Sequence, residues 1–324
     1  MKPGRVLAPI CAAMMLASSC ASESQSAGEL QEVKVATVLS GQSGYLAALI
    51  EEKGIAAKHG LKIENLAMDF TEAANALKLG RADASTMQPS TAVRLRKDGN
   101  AVQILVPQLW SGNAWVVRKD SPYRTIEDLR GKKIGNFSRV TGAYFFSAVI
   151  AKERGLDVER DFQSLDAETG ALMGLLERGD VEAINMFEPH VTKLLLTGKY
   201  RVLLDFDTEM EKIFGAPPLK TGVAVQTETV ENNPEMVKAL RAAYLEGIEY
   251  IKSGKDEEFF RDNAQKYFGL SGSEEIEASF ERNRENFVGE TDSDFTEAQN
   301  EILTKGIELG LLPDAGDLTD LWVK

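Results

Sequence analysis

Two short stretches carry residues suited to ligand recognition. Ser40, Gln42, Ser43 and Tyr45 lie in SGQSGY, directly after the apolar run Val35–Leu39. Ser138, Arg139, Thr141, Gly142 and Tyr144 lie in SRVTGAY, directly after Lys133–Phe137. In each case a strand-like run gives way to a small polar turn and then to a helical pattern. A helix that starts there points unpaired N–H groups and its positive dipole end at whatever lies in front of it. The hydroxyls add donors, the small residues let a ligand approach the backbone, and Arg139 adds a cation for an anionic group. Each turn alone also reads as the ordinary N-cap of a buried helix. Two such turns in one chain favour a pair of opposed walls around a ligand.

Bond-making chemistry finds little support. The chain has two histidines, His59 and His190, and the cysteines are Cys11 and Cys20, so no zinc ligand set assembles. GQSG at 41–44 lacks the spacing of a hydrolase nucleophile elbow. DSDF at 292–295 lacks the glycine of a calcium loop. The charges around Glu274–Glu285 read as solvated helix faces. No metal, no cofactor and no enzymatic step are expected. The formal charge of −13 argues against nucleic acid or an anionic membrane surface as a partner.

The N-terminus reads as an export segment, residues 1–20. Lys2 and Arg5 precede the apolar run Val6–Ala17, which is too short to span a bilayer. LASSC resembles the lipobox of bacterial lipoproteins, with Ala17 where that motif prefers Leu, and implies lipidation at Cys20. Cys11 would leave with the signal, so the mature fold would hold no disulfide. Residues 21–31, rich in Ser, Ala, Gly and Glu, read as a flexible tether. The expected location is the periplasm or the outer face of the bacterial cytoplasmic membrane, with membrane contact through the lipid alone.

The elements that must position the two turns follow from the pattern after Val33. Short apolar runs alternate with amphipathic helices, which predicts an α/β fold with largely parallel sheets. Asn233-Pro234 marks a helix start, with Met236, Leu240, Tyr244, Ile248 and Ile251 near one face. From Glu257 onward the pattern is helical. A second repeat is sharper. ALKLGRADASTMQPST (76–91) and LLERGDVEAINMFEPHVT (175–192) share a C-cap glycine (Gly80, Gly179), an acid three residues on (Asp83, Glu182), a strand with Met (Met87, Met186) and a proline (Pro89, Pro189). Two lobes of similar wiring follow. Ligands in such folds lie outside the carboxyl ends of the strands, so the facing edges form a cleft.

KGIAAKHGLKIE (53–64), EAANALKLGRADAS (72–85), VVRKDSPYRTIEDLRGKKIGNFS (116–138) and MFEPHVTKLL (186–195) resemble the SsuA/THI5-like family, the substrate-binding proteins of ABC importers for sulfonates, taurine, nitrate and pyrimidine precursors. The likeness runs over roughly 33–252. It implies a two-lobed periplasmic-binding-protein fold of the second type. Lobe 1 would comprise 32–117 plus 221–324 and lobe 2 would comprise 118–220, with crossings near Val116–Arg118 and Leu219–Val223. It implies a monomer that closes on a small molecule by hinge motion and docks on an ABC permease. The ligand contacts implied are Ser40, Gln42, Ser43, Tyr45, Gln88, Ser90, Trp110, Ser111, Gly112, Ser138, Arg139, Thr141, Gly142, Tyr144 and Glu188. Trp110 reads equally as a core residue, and Glu188 equally as a cap beside Pro189. His190 could also touch ligand. A sulfonate or taurine-like ligand is favoured. The alternatives are a pyrimidine or flavin using Trp110, Tyr144 and Phe187, a THI5-type pyrimidine synthase, whose cysteine-rich motif is missing here, and a ligand-sensing receptor subunit.

Overall fold

The computed structural model describes Met1 and residues 30–323, apart from residues 39 and 140. The export segment, Cys11, Cys20 and nearly all of the tether lie outside the described residues. The chain begins with β1 (Gln31–Thr37), α1 (Gly41–Glu52), α2 (Ile55–Lys58), β2 (Leu61–Ala67), α3 (Phe70–Lys78), β3 (Ala84–Met87), α4 (Pro89–Lys97) and β4 (Val102–Trp110). It continues with β5 (Asn113–Arg118), β6 (Lys133–Asn136), α5 (Gly142–Glu153), β7 (Gln163–Asp166), α6 (Thr169–Arg178), β8 (Ala183–Phe187), α7 (His190–Leu196), β9 (Tyr200–Asp205) and α8 (Phe206–Phe214). It ends with β10 (Leu219–Gln226), α9 (Thr227–Asn232), α10 (Pro234–Lys252), α11 (Glu257–Phe268), α12 (Ser273–Glu285) and α13 (Ser293–Glu308).

The described strands form two five-stranded sheets, ordered β2-β1-β3-β10-β4 and β7-β6-β8-β5-β9. In each sheet three strands run parallel and the last two pair antiparallel. The repeat seen in the sequence is a repeat in space. Asp83 N–H bonds to Lys34 O at 2.8 Å, and Glu182 N–H bonds to Lys133 O at 2.9 Å. Gly80 and Gly179 both take positive φ at their helix ends (64° and 76°), which a side chain resists. The two-lobed α/β architecture read from the sequence is present.

The crossings differ from expectation. β5 belongs to the second sheet, so the chain changes lobe at Ser111–Gly112 instead of Val116–Arg118. Trp115 and Val117 are apolar because they lie in a central strand of lobe 2, paired with both β8 and β9. The return passage lies between the end of α8 and Leu219. α13 also departs from a simple lobe 1 assignment: it packs on α5 and α8 of lobe 2. Its Gly306 lies so close to Phe145 that a Cβ would meet that ring at 2.3 Å. α10 buries Met236, Leu240, Tyr244, Ile248 and Ile251 against the core of lobe 1, on the face its periodicity gives.

Candidate functional site

The carboxyl ends of β1 and β3 in lobe 1 face those of β6 and β8 in lobe 2. Polar pairs tie each edge together at equivalent positions. Thr37 and Thr86 join their hydroxyls at 3.1 Å. Asn185 Nδ2 donates to Asn136 Oδ1 at 2.9 Å and to Ala143 O at 2.9 Å. Asn113 Nδ2 donates to Asn185 Oδ1 at 3.0 Å, and Asn136 Nδ2 donates to Ser147 Oγ at 3.0 Å. These amides are buried and partnered, so they fix the start of α5 as a rigid wall.

Gln88 follows β3 as the N-cap of α4, and Gly142 opens α5 on the other side. A Cβ on Gly142 would stand 3.1 Å from Gln88 Oε1. Gln88, Ser90 and Gly142 line a narrow pocket together with Lys220, Phe145, Phe146 and Ile302. On the other flank, Gln42 and Glu188 share a second pocket with Arg282 and Asn283. Between the flanks stands Lys220, the second residue of β10, at the return crossing. Its ammonium lies 4.3 Å from the centroid of Phe187. Burial pushes it down to about 8, against the opposing pull of the Asp207 and Glu188 carboxylates. Lys220, which is partly buried, forms no ion pair within 4.0 Å among the described residues, which leaves a cation in the cleft without a close counter-charge.

Asp207 braces the first crossing between the lobes. Its Oδ2 accepts from Gly112 N–H at 2.9 Å, and the Ser111 hydroxyl also donates to it. Its Oδ1 is buried without a partner. Burial pushes the carboxyl up to about 7, opposed by the Gly112 and Ser111 donors and by Lys220. His190 packs edge-on against Phe187 at 5.5 Å, and its Nδ1 is buried without a partner. Burial, then the Lys193 and Lys220 cations, push it down to about 4, so it is neutral at pH 7.

The other expected contacts fall elsewhere. Tyr45 is fully buried and donates to Asp256 at 2.6 Å, amid Phe259, Phe260, Tyr267 and Phe268. It is a core residue, because four residues on from Gly41 the first turn of α1 brings it to the buried face. Tyr144 is also buried, with its hydroxyl on Glu159. Arg139 is exposed, 3.9 Å from Glu159 and over the Tyr144 ring, so its charge is directed there. Thr141 caps α5 by accepting from Tyr144 N–H at 3.2 Å, while Ser138 is exposed and uses its carbonyl to hold Thr141. Ser40 is exposed at the start of α1 and Ser43 is buried. Trp110 packs on Phe295 at 5.7 Å and borders a surface bowl with Lys252 and Glu290. Ser111 is fully buried and braces Asn113 N–H at 3.1 Å. Gly112 takes φ 58° and accepts from Glu188 N–H at 3.1 Å. Glu188 performs its capping role on Thr192, at 2.7 Å to the hydroxyl, and also pairs with Arg282 of α12.

Lys220, Asp207, Arg282, Asn283 and Asn286 were not read from the sequence. Lys220 carried a signal: the single charge in the strand LKTGVAVQ, next to a lobe crossing. Arg282, Asn283 and Asn286 sit in a charged helix end with no local pattern to set them apart.

No curated sequence matches this chain. A family model described as "ABC transporter, phosphonate, periplasmic substrate-binding protein" matches residues 46–246. Three solved structures share the fold over most of both chains. The periplasmic aliphatic sulphonate-binding protein SsuA of Escherichia coli has a TM-score of 0.76 at 17% identity, over 91% of this chain and 92% of its own. A sulfonate-binding protein SsuA of Methylobacillus flagellatus has 0.73 at 19%, over 91% and 92%. The alkanesulfonate-binding protein SsuA of Xanthomonas axonopodis, bound to MOPS, has 0.68 at 15%, over 89% and 96%. No described helix is long and apolar enough to cross a membrane. With its paired lobes and the cleft between them, the chain belongs to the periplasmic substrate-binding proteins of ABC transporters described by the phosphonate-binding family model.

Proposed function

We propose that the chain captures a small organic anion of the sulfonate or phosphonate class in the inter-lobe cleft and presents it, by hinge closure, to an ABC permease. The single observation that carries this reading is Lys220: a partly buried ammonium between the lobes, against Phe187 and without an ion-pair partner among the described residues. A ligand anion supplies the missing counter-charge, and the low local dielectric makes that contact strong. Phe187 and the apolar side chains Phe145, Phe146 and Ile302 enclose the organic portion. The sulfonate ligands named for the structural neighbours agree with an anionic head group. Capture needs no bond to be broken, so no catalytic step is assigned. Anchoring through lipid on Cys20, a monomeric state and a location at the outer membrane face or in the periplasm belong to the same reading. Intact mass of the membrane-extracted protein checks the lipid.

The test is calorimetric titration of the purified protein, shown by native mass spectrometry to be empty, with methanesulfonate, taurine, methylphosphonate and nitrate. Saturable binding of at least one, lost in Lys220→Met, is the expected result. Binding of none, or binding indifferent to Lys220→Met, overturns the reading.

A further inference from the structure

Behind the rim of the cleft, the start of α1 and one face of α12 enclose a narrow pocket on lobe 1. Gln42, Ser279, Arg282 and Asn283 line it beside the apolar Phe260 and Phe268, and Glu188 enters from lobe 2. Gln42, Ser279 and Asn283 are 7%, 3% and 6% exposed. Each carries a buried polar atom with no partner: Gln42 Nε2, Ser279 Oγ and Asn283 Nδ2. The orientation of Gln42 is set by its neighbour, since Gln42 Oε1 accepts from Asn286 Nδ2 at 2.9 Å and the amide N–H groups must take the other side. Leaving a buried donor unmatched costs about 1–3 kcal/mol. Three such groups around one pocket, with a guanidinium beside them, fit an acceptor that arrives from outside.

Glu188 shows what kind of acceptor fits. Its carboxylate pairs with Arg282 across the cleft, while its other oxygen stays on Thr192 at 2.7 Å. The same carboxylate lies within the field of Lys220. Two cations of lobe 1 and the hinge therefore flank one acidic side chain of lobe 2. We propose that Gln42, Ser279, Arg282 and Asn283 form a second anion subsite, and that Glu188 occupies only its guanidinium, in place of the second acidic group of a two-acid ligand, while the other three donors wait for that group. Lys220 would hold one acid and Arg282 the other, which narrows the ligand class to sulfo- or phosphono-carboxylates. This deepens the cleft reading and rests on it.

Two arms test it. In the first, phosphonoacetate is compared with methylphosphonate, and sulfoacetate with methanesulfonate, by calorimetry. The two-acid probe should bind at least about tenfold tighter, the size of one charge-assisted contact. Arg282→Gln should reduce that ratio to near one, and Glu188→Gln should enlarge it, because the amide still accepts from Thr192 but no longer competes for Arg282. An unchanged ratio in Arg282→Gln, or equal losses for all probes in Glu188→Gln, reduces the pair to a latch and overturns the subsite. If one-acid probes bind wild type and the two-acid ones bind no better, the subsite fails and the cleft reading stands. The second arm uses inorganic phosphate alone. In Glu188→Gln it should shift the side-chain amide resonances of Gln42 and Asn283 saturably, and adding Arg282→Gln should abolish the shift. No saturable shift overturns the subsite whichever organic ligand the cleft takes.

Discussion

Gln88 and Gly142 meet across the cleft, with Oε1 of Gln88 3.1 Å from where a Cβ of Gly142 would stand. The contact joins the last residue before α4 to the first residue of α5, one from each lobe. Gly142 has no positive φ, so a side chain there meets crowding and no backbone strain. Gly142→Leu should therefore hold the lobes apart while each lobe stays folded. Small-angle scattering should show a larger radius of gyration, and ligand affinity should drop by tenfold or more, about 1.4 kcal/mol. Unchanged scattering and affinity would mean that the cleft never closes to this contact.

Lys220 makes ligand affinity depend on pH in one direction. Its ammonium is pushed down to about 8 in the folded protein. It is charged below that value and neutral above it. Affinity for an anionic probe should be level below about pH 8 and fall above it, by up to about tenfold per pH unit. Lys220→Met should give a weak, flat profile in calorimetry from pH 6 to 10. A decline that persists in Lys220→Met would place the titrating group elsewhere.

Asp207 links folding stability to pH with the opposite window. Its carboxyl is raised from 3.8 to about 7, so between these values the folded state holds a proton that the unfolded chain releases. Stability contributed this way is present below about pH 4 and lost as pH rises to about 7, by roughly 4 kcal/mol at most. Asp205, the N-cap of α8 two residues earlier, adds to the upward push, whereas Lys220 opposes it. Asp207→Asn should remove this part of the fall, seen as a smaller drop in melting temperature between pH 4 and 8. An identical drop in the variant would remove Asp207 as its source.

Tyr45 tests the division between wall and core. Its hydroxyl serves Asp256, which is fully buried and whose Oδ1 has no partner. Tyr45→Phe should cost about 1–3 kcal/mol of stability in urea unfolding, and leave anion affinity within about twofold. A large loss of affinity with little loss of stability would return Tyr45 to the binding surface.

The two lobes and their shared wiring were legible in the amino-acid pattern alone. The strand, glycine cap, acid and proline of 76–91 and 175–192 are local signals, fixed by φ preference and helix-end chemistry, and they fold into equivalent places in the two sheets. The helical face of α10 was legible for the same reason, since periodicity of 3.6 is a property of neighbouring residues. Gln42, Gln88, Ser90, Gly142 and Glu188, singled out from the sequence, border pockets between the lobes. Tyr45, Tyr144 and Trp110 went the other way, because an aromatic beside a turn reads alike whether it faces ligand or core. The packing of distant segments alone sets Lys220 in the cleft, puts Asp207 at the lobe crossing and brings Arg282 to Glu188, 94 residues away in sequence. Those roles depend on burial and on charges brought together from distant segments, and the free energy of a buried charge is set by its surroundings in space, which no local pattern encodes.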